Sequence, residues 1–140
     1  KYGSTYYAPY SPSLSETRVC LSGYVYQIRI NIFPGAVRKK QDNNCSTYNN
    51  PALYVDTGYQ DVSPDNVRVF AFSVSSASPY NISMRLAIGT NDLLVDDSGN
   101  SPNNQGVDFS TIKCKPGIAG SEYCAMIPLS TTVTRRMAGL

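Results

Sequence analysis

The stretch Arg18–Phe33 reads RVCLSGYVYQIRINIF, and its alternation decides the fold class. Tyr24, Tyr26, Ile28, Ile30 and Ile32 fall on one side of an extended chain, with Val25, Gln27, Arg29 and Asn31 on the other. A period of two belongs to a strand with one face against a core, and the pattern puts the tyrosines and isoleucines on the core side. Pro34-Gly35 stops the run, and Arg38 to Asn44 follows as a polar loop.

Other runs repeat the signal. Asp65-Asn66 opens VRVFAFSV, which is apolar on both faces and reads as an inner strand. After the turn Ser78-Pro79-Tyr80-Asn81 comes ISMRLAI, where Ile82, Met84, Leu86 and Ile88 alternate with Ser83, Arg85 and Ala87. Ala52 to Val55, Val107 to Cys114 and Tyr123 to Thr134 are further strand candidates. No apolar helical spacing persists for three turns. Six to eight short strands between turn signals predict an all-β fold, an antiparallel β-sandwich of Greek-key or jelly-roll type with long polar loops. It is expected to occupy residues 16–134. Residues 1–15, rich in Tyr, Pro and Ser, read as an extended arm, and 135–140 as a tail or linker.

Composition narrows the chemistry. The 140 residues include no His, so no Ser/His/Asp triad, Cys/His pair or His-ligated metal arises within the chain. Only Glu16 and Glu122 are glutamates and most aspartates sit in turn contexts, which leaves little for a carboxylate-pair hydrolase. A net charge of +2 gives no field for nucleic acid, and Arg38-Lys39-Lys40 and Arg135-Arg136 are too short to change that. The chain is read as non-enzymatic and without cofactor.

Cys20, Cys45, Cys114 and Cys124 form an even set with gaps of 24, 68 and 9 residues. Zinc sites need close pairs, so the set predicts two disulfides and a secreted or cell-surface location. The nine residues between Cys114 and Cys124 include Pro116, Gly117 and Gly120, which favours a local pair and leaves Cys20 for Cys45. Asn81-Ile82-Ser83 and Asn44-Cys45-Ser46 are glycosylation sequons, the second crowded by its cysteine. No run is long and apolar enough for a membrane-spanning helix, and the chain, starting at Lys1 without a leader, reads as a mature or trimmed fragment.

Asp92, Asp96, Asp97, Ser98, Asn100, Asn104 and Asp108 lie close together, and Asp96-x-Ser98-x-Asn100 imitates the start of a calcium loop. The required glycine and distal glutamate are missing, so the segment is read as a solvated loop with no metal.

Tyrosine, at 11 residues, is the compositional anomaly. Tyr2, Tyr6, Tyr7 and Tyr10 lie in the arm, where exposed rings gain nothing unless they meet a surface, so they are the expected partner-binding residues. The resulting expectation is a structural glycoprotein domain, a subunit of an extracellular filament, coat or matrix. Its arm and sheet edges would contact copies of itself or other matrix proteins. The alternative is a carbohydrate-binding module or lectin, with exposed Tyr and Asn/Asp side chains on a glycan.

Overall fold

The computed structural model describes residues 9–75 and 79–133, and the chain divides into two compact units, Lys1–Val67 and Arg68–Leu140. Both are built from antiparallel strands, so the all-β expectation holds.

The first unit carries a five-stranded meander. Its strands are β1 (Tyr10–Ser13), β2 (Glu16–Leu21), β3 (Tyr24–Arg29), β4 (Val37–Gln41) and β5 (Gln60–Asp61), and they lie side by side in chain order without a Greek-key crossover. The deciding stretch is a hairpin rather than one strand. Ser22 and Gly23 both have positive φ, +52° and +81°, and this two-residue turn joins β2 to β3 with Cys20 opposite Val25 and Arg18 opposite Gln27.

Three expectations change here. Residues 10–13, expected in the arm, pair with β2 as an edge strand. Arg38 to Gln41, expected in a loop, belong to β4, because its neighbours β3 and β5 satisfy its backbone. Ala52 to Val55 is turn and irregular chain instead of a strand.

β3 also buries the side opposite the expected one, and of its residues on the expected side only Ile28 is buried, at 5% exposure. Val25 and Gln27 are buried at 0% and 2% exposure, whereas Tyr24 and Tyr26 are half-buried. The reason lies in the segment after β4. The Cys20–Cys45 bridge draws it back over the Val25 face, where Cys20, Val25, Cys45 and Tyr48 form the core with Tyr10 and Tyr59 against it.

In the second unit β6 (Val67–Val74), β7 (Tyr80–Ile88) and β10 (Ala125–Val133) form a sheet in the order β10-β7-β6. Between β7 and β10 the chain makes a long excursion with a small ladder of β8 (Leu94–Val95) and β9 (Lys113–Cys114). The excursion also has 3-10 turns at Asn91–Leu93, Phe109–Thr111 and Ser121–Tyr123, so most of the strand expected from Val107 to Cys114 is absent. The Cys114–Cys124 bridge closes its last stretch, over a separation of 10 residues.

Here too the less apolar side of the strand is covered. Ala87 is fully buried with Phe70, Leu94 and Ile112, while Ile82, Met84, Leu86 and Ile88 are half-buried. Arg85, on the Ala87 face, donates from its guanidinium to the carbonyls of Phe109, Ser110 and Ile112, which ties the excursion to the sheet. Phe109 stacks on Phe70 with ring centroids 5.6 Å apart.

Candidate functional site

The most elaborate arrangement of side chains in the first unit lies on the covered face of the meander. Cross-strand pairing sets Gln27 of β3 between Arg18 of β2 and Arg38 of β4. A buried guanidinium and a buried amide are costly unless every donor finds an acceptor. Arg18 Nε donates to Glu16 Oε2 at 2.8 Å and its Nη1 to the Tyr48 carbonyl at 2.9 Å. Gln27 Nε2 donates to Asp56 at 3.0 Å and also to Glu16, while Arg38 donates to Gln27 Oε1 and, at 2.7 Å, to Asp56.

Two tyrosines from the covering segment complete the layer. The Tyr54 and Tyr59 hydroxyls are 2.5 Å apart, and the Tyr54 ring lies 3.3 Å from the Arg18 guanidinium carbon. Arg38 stands 4.4 Å from the Tyr59 ring, and Lys40 Nζ is 4.8 Å from both rings. Such cation–aromatic contacts contribute about 0.5–2 kcal/mol each, the higher values where water is excluded.

The electrostatics follow from this packing. Burial, together with the Tyr59 hydroxyl, pushes the Tyr54 phenol well above its ordinary value. Burial lowers Lys40 and would raise Asp56, but the hydrogen bond from Gln27 and the charge of Arg38 hold Asp56 below the usual carboxylate range. A phenol made harder to ionise and a carboxylate made harder to protonate are poorly matched to general acid–base work near neutral pH. The arrangement holds the covering segment on the sheet.

Asp96, in the loop expected to be solvated, is 2% exposed and organises its neighbourhood. Its Oδ1 accepts from the backbone of Ser98 and Asn100 at 2.8 Å each, and its Oδ2 from the Asn100 side chain and the Asp108 backbone. The backbone donors of Asp108 and Asn100 lead in lowering its pKa to about 2. Asp108 caps the turn at Phe109–Thr111 by accepting from Ser110, and Asp97 pairs with Lys113 at 2.9 Å. Among the described residues no group of three or more His, Cys, Asp or Glu side chains could hold a metal ion.

The remaining sequence-derived residues are dispersed. The disulfides join Cys20 to Cys45 and Cys114 to Cys124, one in each unit, and such bridges suit an extracellular protein. Asn81 is exposed in β7, its Oδ1 accepting from Thr132, and Asn44 is exposed in the turn after β4. Tyr2, Tyr6 and Tyr7 lie outside the described residues. Tyr10 packs against its own core with Arg18 5.7 Å from its ring, so this member of the expected partner-binding set is engaged within the unit.

The sequence reading missed Arg18, Gln27, Tyr54 and Tyr59 as a group. The signal was present in the polar residues at alternate positions 16, 18, 27 and 29, which no apolar core explains. Among the described residues no helix is long and apolar enough to cross a membrane. No family model matches the chain, and no curated protein or solved structure matches it.

Proposed function

We propose that this chain is a non-enzymatic, secreted or cell-surface structural domain. It serves as a subunit of an extracellular filament, coat or matrix whose partners are copies of itself or other matrix proteins. One observation carries this reading: the Tyr-rich segment 1–8 is joined, through Pro9, to the outermost strand of a sheet. The described chain begins at that edge, and an added strand or an aromatic anchor from the preceding Tyr-rich sequence would engage a neighbour there. The disulfides and the side chains committed to holding loops on sheets support a scaffold role, and Asn81 and Asn44 are its proposed glycan positions.

The test is deletion of residues 1–8 with β1 left intact, followed by sedimentation velocity over a concentration series. The full chain is expected to associate and the truncated chain to do so at least tenfold more weakly. Identical behaviour of the two would remove the segment from assembly.

A second reading has its own observation. Tyr24 and Tyr26 are half-buried on the face of β3 opposite Val25, their rings 6.4 Å apart and tilted by 51°, with Lys39 Nζ 4.8 Å from the Tyr24 ring. Rings beside a cationic donor are a means of holding a sugar. Retardation in polysaccharide-loaded native gels that is lost in Tyr24→Ala/Tyr26→Ala would favour a carbohydrate-binding module or lectin.

A further inference from the structure

The edges of the sheets are protected unequally. A free edge invites pairing, and proteins blunt it by brevity, proline, irregular register or charge. In the first unit β1 has four residues, contains Pro12 and pairs with a register shift, and β5 has two residues including Asp61. In the second unit β6 carries Arg68 and buries residues 68–70.

β10 differs from all three. It runs for nine residues, AMIPLSTTV, without a charge, and pairs residue for residue with β7 from Ala125 opposite Ile88 to Val133 opposite Tyr80. Residues 128–133 are exposed, Leu129 at 49% and Val133 at 46%. Its only blunting device is Pro128, which removes one donor at the start of that window.

We propose that β10 pairs antiparallel with β10 of a second copy about a two-fold axis at Thr131, a step that rests on the assembly reading and names its partner. The sequence around Thr131 is complementary to itself in this register. Leu129 falls opposite the second copy's Val133, so the two exposed apolar side chains of the window cover each other on one face. Ser130 falls opposite the second copy's Thr132 on the other face, hydroxyl to hydroxyl. The positions paired, 129 with 133 and 130 with 132, have equal parity, as backbone pairing across the axis requires, and Pro128 lies outside them. With no charge on the strand, two copies meet without repulsion, and the contact is isologous and closes as a dimer. The product is a continuous sheet in the order β6-β7-β10-β10-β7-β6.

The test uses the residue that meets itself. Thr131 is exposed, so Thr131→Lys and Thr131→Glu are expected to keep the melting temperature that the wild type has at concentrations where it is monomeric. Each alone should place like charges across the axis and weaken dimerisation at least tenfold in sedimentation equilibrium, whereas an equimolar mixture should recover the dimer. Thr131→Cys should form a disulfide-linked dimer under mild oxidation, since paired antiparallel Cα atoms lie about 4.5–5.5 Å apart, and Ser98→Cys should not. Dimerisation of the Lys and Glu variants at wild-type strength would overturn β10 pairing and leave assembly through another surface. A wild-type chain that stays monomeric up to about 1 mM would overturn both readings.

Discussion

Single side chains in this protein matter according to how dry their partners are. Arg18 is 7% exposed and holds Glu16 and the Tyr48 carbonyl, while Arg38 pairs with Asp56, whose side chain is 58% exposed. Arg18→Met keeps the stem under Tyr54 but removes the donor to the Tyr48 carbonyl and the charge that faces Glu16, so a loss of about 2–3 kcal/mol is expected. Arg38→Met should cost less, about 1–2 kcal/mol, because its ion pair to Asp56 is wet and the loss comes mainly from the buried Gln27 side-chain oxygen it leaves without that donor. Urea unfolding of the two variants decides this. Asp96 supplies a pH signature. Its pKa is about 2 in the fold against an ordinary 3.8, so protons bind more readily to the unfolded chain. The contribution is complete above about pH 4 and is lost as pH falls toward about 2. In Asp96→Asn, an amide donor would face the Asp108 N–H. The wild-type advantage in urea midpoint over this variant should therefore be present at pH 6 and shrink across that window.

In both units a strand face is covered by chain that returns over it. Val25 of β3 lies beneath the segment held by Cys20–Cys45, and Ala87 of β7 beneath Leu94 and Ile112 of the excursion. Val25→Ala is therefore expected to cost about 2 kcal/mol and Tyr24→Ala less than about 1, an order opposite to ring size. Thermal melts of the two variants check it. The edge strand β1 yields a second expectation. Removing residues 1–8 should leave the melting temperature unchanged, but removing 1–15 strips β1 and the Tyr10 ring beside Arg18. The longer deletion should lose about 2 kcal/mol, several degrees in circular dichroism melts.

The whole molecule is stapled locally. Each bridge closes within one unit, Cys20–Cys45 over a separation of 25 residues and Cys114–Cys124 over 10. Loops of this length make a bridge worth about 3 kcal/mol through the restricted unfolded chain. In Cys20→Ala/Cys45→Ala, backbone amide exchange should accelerate through β2, β3 and β4, with β7 and β10 keeping their protection. Cys114→Ala/Cys124→Ala should produce the reverse pattern. Uniform acceleration in either variant would show that the two units unfold as one.

By itself the sequence determined the class: antiparallel strands, two disulfides and no histidine chemistry. These are local quantities, because a period of two, a missing imidazole and an even cysteine set are read without knowing which residues meet. The tertiary structure alone decided which way the strands face. The alternation at Tyr24–Ile32 is equally regular on both sides, and a pattern ranks faces by hydrophobicity whereas the fold ranks them by what the tether covers. Arg18, Gln27 and Tyr54 came together for the same reason, since Arg18 is 9 residues from Gln27 and 36 from Tyr54 in the chain. Only cross-strand register and a returning loop bring a guanidinium, an amide and a phenol into one dry layer. The chain order of β2, β3 and β4 was likewise hidden. Ser22-Gly23 is a two-residue turn that an unbroken alternation masks, and Arg38-Lys39-Lys40 forms a strand because its neighbours complete its hydrogen bonds, against a composition that favours a loop.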